Sequence, residues 1–385
     1  MSQNLLPIPK PQWINDNNEL RDCCQQWLNQ DFLAVDTEFV RTTTFYPLAG
    51  LIQIADQTAC YLIDPLAISD WQPFADVLQS KVLKVFHACP EDLEVCRRLT
   101  AVMPQHVVDS QTAIALLGYG NSMGFQRAVE TFLDIQLDKG ETRSNWLQRP
   151  LSATQIEYAV ADVWFLHHLF PMLAEQLKQR QRWSWLVEEG QRVVDQALAA
   201  EQNIEAYYRR VKLAWKLRPL EQHVLKKITG WREMLARELN LPRNKVVDDA
   251  SLWNIARYKS NRRDLLAKSG VKNHIIREHG DSLLDVIDAS LDSDQSEWPL
   301  PLDKPLSIVA TKTMKRLKRV LQQHADTWSV PVELLMNKKT LTMIVTKFYQ
   351  GQDDFTDHLS GWREQLVGPV LQVELARIKA EESNE

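Results

Sequence analysis

Two carboxylates stand two residues apart in the segment Asp36-Thr37-Glu38, which begins at the end of the apolar run FLAVD. That run is typical of a buried strand entered from a turn. Side chains two positions apart on a strand point to the same face of a sheet, so the two acids should lie side by side. Adjacent acids repel each other unless a cation lies between them, and carboxylate oxygens suit Mg²⁺ or Mn²⁺. Asp36 and Glu38 are therefore predicted to bind a divalent cation.

A second Asp-x-Glu pair begins at Asp92, in a different setting. It follows Pro90, which suits the first turn of a helix, and residues two apart on a helix diverge. We therefore expect no second site there. Asp92 itself comes just after the apolar run 82–88, a predicted strand, so it can reach the same cleft as Asp36.

A tyrosine and an aspartate four residues apart, Tyr158 and Asp162, form the third element. Ser152 is a good N-cap for a long helix over about 153–180, and on that helix both side chains share one face. The residues around them are apolar, so an unpaired Asp162 would be costly. Packing of the helix explains Tyr158 equally well when it is taken alone. The pair predicts a functional acid with a phenol beside it.

The elements that must position these residues change in type along the chain. The runs 51–55 and 59–64 flank a turn and predict a hairpin. Strands followed by helices indicate an α/β domain with a mixed sheet, ending near residue 205. From residue 206 onward the apolar periodicity is helical, and the Pro-, Asp- and Ser-rich segment 288–305 divides this part.

The two helical parts resemble each other. The segment 241–258 aligns with 330–347 without a gap, and the alignment places Pro242 on Pro331. A chance match of apolar helical patterns is the alternative. The shared proline and the common register favour a duplicated helical domain.

Charge is distributed unevenly along the 385 residues, although the formal net charge is only −5. Residues 1–200 carry a net charge of −9, residues 201–280 carry +9, and residues 281–385 carry −5. An acidic first half and a basic module predict carboxylates that hold metal and cations that hold a polyanion. The alternative is that surface charge simply varies between helical domains.

The composition narrows the class of protein. The chain is 44% hydrophobic and 25% charged, as in ordinary globular proteins. No apolar run approaches the roughly 20 residues of a membrane helix, and the start of the chain lacks a signal pattern, so we expect a cytoplasmic protein without membrane contact. The five cysteines form no C-x-x-C pair, which argues against disulfides and a structural zinc site.

Four ordered motifs carry a resemblance to a known family: DTEFVRTTTFYPLAGLIQI, FHACPEDLEVC, LDKGETRSNWLQRPLS and EYAVADVWFLHHL. Together they resemble the ribonuclease D family, in the tyrosine-containing subgroup of the DEDD exonuclease superfamily. The resemblance is close over about 30–180. Residues 210–290 resemble the HRDC domain that this family shares with RecQ-type helicases, and residues 305–375 resemble a second, more diverged one. Leu48-Ala49 and Asn145 depart from the usual pattern without removing a predicted ligand.

The resemblance implies a ribonuclease H-like mixed-sheet exonuclease domain over 1–205, followed by two all-α domains. These are an HRDC domain over 206–295 and a diverged HRDC-like domain over 296–385. The implied activity is that of a 3′→5′ exoribonuclease that releases 5′-mononucleotides from RNA. Precursors of tRNA and other structured RNA 3′ ends are the expected substrates.

The resemblance also implies a role for each acid. Asp36 would bridge two divalent cations, Mg²⁺ or Mn²⁺, about 3.5–4 Å apart. Glu38 and Asp162 would complete the shell of one ion, and Asp92 would hold the other. Tyr158 would orient the attacking water without acting as its base, because an ordinary phenol has a pKa of about 10.

Further residues are weaker candidates for contacts with RNA. His87 stands at a strand end and can touch substrate, although a hydrogen-bonded core histidine is the more common outcome. Cations around Trp146 can bind the RNA backbone or only fix a loop. Asp109 resembles a family position that supports the fold. The candidate substrate contacts are Phe39, His87, Lys139, Arg143, Lys212, Lys216, Arg218, Lys226 and Lys227.

Two other functions stay open at this point. A DNA 3′→5′ exonuclease would use the same carboxylates, because the 2′-hydroxyl contacts that separate RNA from DNA cannot be read from a sequence. A non-catalytic RNA-binding protein would be expected to lose one of the four acids, and all four are present together with Tyr158. The sequence patterns set neither the oligomeric state nor the preferred metal.

Overall fold

The computed structural model describes residues 7–137, 141, 144–352 and 359–383. A six-stranded sheet consists of β1 (Gln12–Ile14), β2 (Phe32–Val40), β3 (Leu48–Ala55), β4 (Cys60–Ile63), β5 (Leu83–Phe86) and β6 (Val107–Asp109). The spatial order of the strands is β1-β4-β3-β2-β5-β6. Strand β4 is parallel to β1 and antiparallel to β3, whereas β5 is parallel to β2 and β6. The sheet is therefore mixed, as predicted.

Strand β2 is longer than predicted. The sequence pattern ended it at Asp36, but the strand continues to Val40, so Asp36 and Glu38 both lie inside it. Its last residues are only half-buried, and this interrupts the apolar run that marks a buried strand. Strands β3 and β4 form the predicted hairpin, with Ala55 opposite Cys60.

The long helix α6 (Ala153–Gln179) confirms the predicted element. Ser152 Oγ accepts a hydrogen bond from Gln155 N–H, and the Gln155 side chain accepts one from Ser152 N–H. This capping box satisfies two backbone donors that would otherwise lack partners. The helix packs against β2, β4 and β5, which brings its residues toward the acids of β2.

The chain forms two compact units. The first comprises Met1–Val40, Ala49–Ala197 and Leu306–Glu385. It holds the sheet and α6. Its other helices are α1 (Asn17–Trp27), α2 (Gln72–Gln79), α3 (Pro90–Thr100), α4 (Ser110–Leu116), α5 (Phe125–Leu133), most of α7 (Trp183–Gln202), α13 (Ile308–Trp328), α14 (Val332–Leu335), α15 (Lys338–Tyr349) and α16 (Gly361–Glu382).

One apolar core runs through the first unit. Buried residues of the sheet and of α6 belong to the same cluster as Leu317 and Trp362 from the C-terminal helices. Trp362 stacks on Trp185 of α7 with ring centroids 4.7 Å apart, and its indole N–H donates to Glu189 at 2.9 Å. The C-terminal helices therefore share a core with the sheet. The division into 1–205, 206–295 and 296–385 stays a prediction about sequence segments.

The second unit comprises Arg41–Leu48 and Leu198–Pro305. Its helices are α8 (Pro219–Glu238), α9 (Arg243–Val246), α10 (Asp249–Tyr258), α11 (Arg263–Lys268) and α12 (Asn273–Leu291), and α8 packs on α10, α12 and the 3₁₀ segment Ile204–Arg210.

The segment Arg41–Leu48 is fixed within this unit. Asn240 Oδ1 accepts hydrogen bonds from Phe45 N–H and Tyr46 N–H at 3.1 and 3.0 Å. The Phe45 ring belongs to the apolar core of the second unit.

The two sets of helices repeat in register. Helices α8, α9 and α10 begin 89 residues before α13, α14 and α15. Pro242 and Pro331 precede α9 and α14 at equivalent positions. Asp248 caps α10 and Asn337 caps α15, each accepting from the backbone N–H three residues on. The order and spacing of these elements are those expected of the duplication seen in the sequence.

Two further expectations concern the membrane and the cysteines. Among the described residues, no helix has the length and apolar character needed to cross a membrane. All five cysteines are free, and four of them are buried, so the interpretation as core thiols is confirmed.

Candidate active site

Three carboxylates from two elements meet at one point of the first unit. Asp36 and Glu38 project from β2, and Asp162 projects from α6. A carboxylate oxygen from each lies within 4.8 Å of an oxygen of the other two. The strand periodicity and the helix packing bring these acids together as the sequence predicted.

Asp92 lies beside this cluster in the first turn of α3 and is 7% exposed. Its Oδ1 accepts a hydrogen bond of 2.6 Å from the Thr37 hydroxyl, so the residue between Asp36 and Glu38 fixes the fourth acid. Sequence reasoning gave Thr37 no role, because the bond joins residues 55 positions apart.

The turn between β5 and α3 is fixed by Asp109. Its carboxylate accepts hydrogen bonds from Ala88 N–H at 3.0 Å and Cys89 N–H at 3.1 Å, and it also caps α4 through Gln111 N–H. Ala88 has a φ of 64°, which is strained for a residue with a Cβ. Asp109 therefore supports the backbone that leads to Asp92, as predicted for a residue that serves the fold.

The Tyr158 phenol lies beside the Asp162 carboxylate, one helical turn away, and each group influences the pKa of the other. Its ring is tilted against Trp146, with centroids 6.2 Å apart. Burial, followed by the charges of Asp162 and Glu38, raises the pKa of the Tyr158 phenol well above its usual value. The phenol is therefore a proton donor at neutral pH and cannot serve as a base.

The acids of the cluster destabilise one another's charged forms. Burial raises the pKa of Asp36 to about 6. Burial, together with the charges of Asp36, Asp162 and Asp92, raises the pKa of Glu38 to about 10. Burial and the charge of Asp36 also raise the pKa values of Asp92 and Asp162. Each acid is thus buried close to like charges.

Among the described residues, no lysine or arginine forms a salt bridge with any of the four acids. A set of close carboxylate oxygens without a protein counter-charge suits a hard divalent cation. Asp36, Glu38 and Asp162 have the geometry to hold one directly, and Asp92 lies beside them.

A cleft of about 580 Å³ opens onto the cluster. Its walls combine the acids with Tyr158, with Leu166 of α6 and with the start of α5 at Gly124, Phe125, Gln126 and Arg127. The residues of α5 were missed, because GFQRAVE is an ordinary amphipathic helix start in the sequence. The cleft is wide enough for a nucleotide-sized ligand.

His87 lines this cleft, but both of its ring nitrogens are engaged within the protein. Nε2 donates to Met123 O at 3.0 Å, since a carbonyl oxygen only accepts, and Nδ1 lies 2.8 Å from Ser110 Oγ. Burial lowers the pKa of His87, so the ring is neutral and Nδ1 accepts from the Ser110 hydroxyl. Any contact with substrate would therefore use the ring face or a carbon edge.

The other candidate substrate contacts are scattered. Phe39 is half-buried on β2, next to Glu38. Lys139 and Arg143 lie outside the described residues. The remaining five, Lys212, Lys216, Arg218, Lys226 and Lys227, belong to the second unit.

Three of those five residues have an acidic partner nearby. Lys226 and Lys227 both bind Glu205, at 3.1 and 2.9 Å, and Arg218 Nε lies 3.5 Å from Glu221. Lys212 and Lys216 are exposed. The predicted grouping of these cations on one RNA-binding face stays a prediction.

Two segments of the chain match known domain families, and these matches define the class of protein. Residues 11–178 match the 3′-5′ exonuclease domain family, and residues 221–287 match the HRDC domain family. The carboxylate cluster lies within the first of these segments. The first unit thus contains a 3′-5′ exonuclease domain of the acidic-cluster type, whose chemistry uses divalent metal.

The particular family follows from the relatives. The chain is 42% identical over 366 residues to ribonuclease D of Pseudomonas paraeruginosa, covering 94% of this chain and 97% of that protein. It is 32% identical over 366 residues to ribonuclease D of Escherichia coli, with 94% and 97% covered. The crystal structure of Escherichia coli RNase D, described as an exoribonuclease involved in structured RNA processing, superposes with a TM-score of 0.88 at 31% identity, covering 96% of this chain and 99% of that one.

The chain belongs to the ribonuclease D family and is a 3′-5′ exoribonuclease. Its substrate is RNA. The α/β exonuclease domain followed by a helical HRDC domain is confirmed as the fold class.

Proposed function

We propose that this exoribonuclease is metal-dependent and trims the 3′ ends of structured RNA, including tRNA precursors, by releasing 5′-mononucleotides. The observation that carries the metal dependence is the meeting of Asp36, Glu38 and Asp162 within 4.8 Å, with no salt bridge from a lysine or arginine among the described residues. Mg²⁺ and Mn²⁺ are the ions that suit all-oxygen ligands of this kind. The trimming of structured RNA is supported by the description of the Escherichia coli relative.

The proposed division of ligands rests on the position of Asp36. Its charge is among those that raise the pKa of Glu38, of Asp92 and of Asp162, so Asp36 is near all three. The four acids would hold two divalent cations: Asp36 would serve both, Glu38 and Asp162 would serve one, and Asp92 would serve the other. When bound, such ions supply a nucleophile at neutral pH and neutralise charge on the leaving oxygen.

The side chains of this chain position the reactants. Tyr158, which is protonated and lines the cleft beside Asp162, presents its hydroxyl to the attacking water and orients it. The neutral His87 ties the end of β5 to the start of α5, which shapes the opposite wall. The four acids, placed by β2, α3 and α6, set the position of the scissile phosphate.

The test is hydrolysis of a 5′-labelled tRNA precursor that carries a short 3′ extension. Wild-type protein should release 5′-mononucleotides from the 3′ end with Mg²⁺ or Mn²⁺ and none with excess EDTA. A DNA strand of the same sequence, tested in parallel, measures the preference for RNA. Equal hydrolysis with and without EDTA would overturn the metal assignment, and a preference for the DNA strand would overturn the substrate assignment.

The proposal also assigns the two helical segments and the location of the protein in the cell. We assign 206–295 as the HRDC domain and 296–385 as a second, diverged HRDC-like domain. The support for the latter is the constant 89-residue spacing of the helices and of the proline before α9 and α14. The proposed location is the cytoplasm, where tRNA precursors are found.

A further inference from the structure

Helix α13 carries an exposed row of cations in the first unit. Lys312, Lys315, Lys318 and Arg319 are all exposed, and at 100° per residue they fall within an arc of about 120°. The buried residues of the helix, among them Leu317, lie on the opposite side. We call these four cations the α13 basic face.

The α13 basic face lacks an acidic partner among the described residues. In the described part of the chain, none of its four cations forms a salt bridge. Arg316, which lies off the face, shows the contrast: it binds Glu374 and Glu381 of α16. The only acid on the exposed side of α13 is Asp326, two turns beyond Arg319, and its carboxylate accepts a hydrogen bond from Gln322.

The equivalent side of α8 in the second unit cannot bind a ligand in the same way, because its residues are buried or already paired. Lys315 corresponds to Lys226, which is bound by Glu205 of the 3₁₀ segment that packs along α8. The counterparts of Lys312 and Lys318 are His223 and Thr229, which are 1% and 0% exposed. The positions that α8 uses for packing therefore carry exposed, charged side chains on α13.

We propose that the α13 basic face binds the phosphate backbone of the RNA substrate. The inference rests on the proposed function in taking a polymeric RNA 3′ end as the ligand. The Cα positions of Lys312 and Arg319 are about 10 Å apart along the helix, a distance that spans two or three phosphates of a strand. Lysine and arginine without a neighbouring aromatic ring give contacts that position a strand and do not select bases.

The experiment compares full-length variants that lose the same charge. Lys315→Gln/Arg319→Gln removes two charges from the α13 basic face, and Lys10→Gln/Lys81→Gln removes two exposed charges elsewhere in the first unit. Binding of a labelled 20-nucleotide RNA of mixed sequence is measured in EDTA between about 50 and 200 mM salt. Hydrolysis of a tetranucleotide, which offers few phosphates for contacts outside the cleft, is measured with Mg²⁺.

The face variant should bind the 20-mer roughly tenfold more weakly at low salt. Its slope of log affinity against log salt should be shallower by about 1.4, since each phosphate contact to a single strand contributes about 0.7. The control variant should match wild type, and all three proteins should hydrolyse the tetranucleotide equally. Glutamine keeps the helix, because its helix propensity is close to that of lysine.

Equal slopes for the face variant and wild type would overturn the proposal and leave an acidic protein surface as the ligand of this face. The same loss in both double variants would also overturn it, because the effect would then be one of total charge. If wild type binds the 20-mer but hydrolyses nothing with Mg²⁺, the proposed function fails while the binding result still decides the proposal.

Discussion

The cleft of the first unit and the helices of the second unit both concentrate charge, but only the second unit provides partners for it. Three carboxylates meet in the cleft with Asp92 beside them, and none of these four acids has a lysine or arginine salt-bridge partner among the described residues. In the second unit, by contrast, Glu205, Glu221 and Glu233 are each bound by two basic side chains. Charge with a partner stabilises the fold, whereas charge without one is available to a ligand.

Because of this difference, the net charge of a segment does not show how many of its charged side chains can bind a ligand. Residues 201–280 carry +9, yet many of their lysines and arginines are held in salt bridges to acids of the same unit. Residues 281–385 carry −5, yet they contain the α13 basic face. The net charge of a segment therefore does not report where a polyanion can bind. Each prediction below tests one side of this comparison.

The largest effect is expected from Asp36→Asn. Loss of the acid that we propose as the shared metal ligand should lower the rate of RNA hydrolysis by about 10³-fold or more, because its removal raises the barrier by several kcal/mol. Initial rates on the labelled tRNA precursor measure it. A variant that retains more than about a tenth of the wild-type rate would contradict the assignment.

Tyr158→Phe should lower the hydrolysis rate by roughly 10²-fold while leaving the affinity for RNA unchanged. The hydroxyl is lost, but the ring that packs near Trp146 is kept. Single-turnover rates and affinities in EDTA separate the two effects. An unchanged rate would return Tyr158 to a packing role.

Glu233→Gln tests whether the paired charges of the second unit stabilise its fold. Glu233 is fully buried and accepts two hydrogen bonds from Arg243 at 2.5 Å, so neutralising it should destabilise the second unit by about 2 kcal/mol. Urea unfolding measures this, and hydrolysis of a tetranucleotide should not change. Arg263→Gln, which breaks the exposed pair with Asp281, is the control and should cost less than about 0.5 kcal/mol.

The metal-free protein should lose stability as pH rises from about 4 to 6.5, relative to Asp36→Asn. Because the folded-state pKa of Asp36 is raised to about 6 from 3.8, the folded state keeps a proton there that the unfolded state has already released. Melting temperatures in EDTA across this range should therefore fall for wild type relative to the variant. Parallel curves in EDTA would contradict the electrostatic account of the cluster.

The smallest effect is expected from Lys226→Gln/Lys227→Gln. Both lysines already share Glu205, so their removal should change the salt slope of RNA binding by less than half of the change expected on the α13 basic face. The same 20-nucleotide RNA measures both. A larger change than that of Lys315→Gln/Arg319→Gln would reverse the comparison and make the second unit the main electrostatic contact.

The elements that could be predicted are those with local causes. Ser152 and Gln155 form a capping box within four residues, so the start of α6 follows from the sequence. The pairing of Asp36 and Glu38 on one face follows from the period of a strand. The sequence did not indicate that β2 continues to Val40, because its half-buried end lacks the apolar pattern.

What could not be predicted depends on contacts between distant residues. The bond from Thr37 to Asp92 and the salt bridge from Glu205 to Lys227 join separate elements, and no short motif records them. The availability of Lys315 and the occupation of Lys226 likewise depend on what packs over two equivalent helix positions. Sequence patterns locate the acids of a site well, but they do not show which cations are already bound.

The common core of the first unit has a consequence for how the polypeptide can be cut. Leu317 and Trp362 are buried with the sheet and with α6, although Leu306–Glu385 is separated from Ala197 in the sequence by the second unit. Peptide-bond continuity is therefore not what retains the C-terminal helices on the nuclease fold. A protease that nicks the chain near residue 300 should leave two fragments that co-elute as one non-covalent particle. A chain that simply stops near residue 205 would instead expose this apolar surface and aggregate.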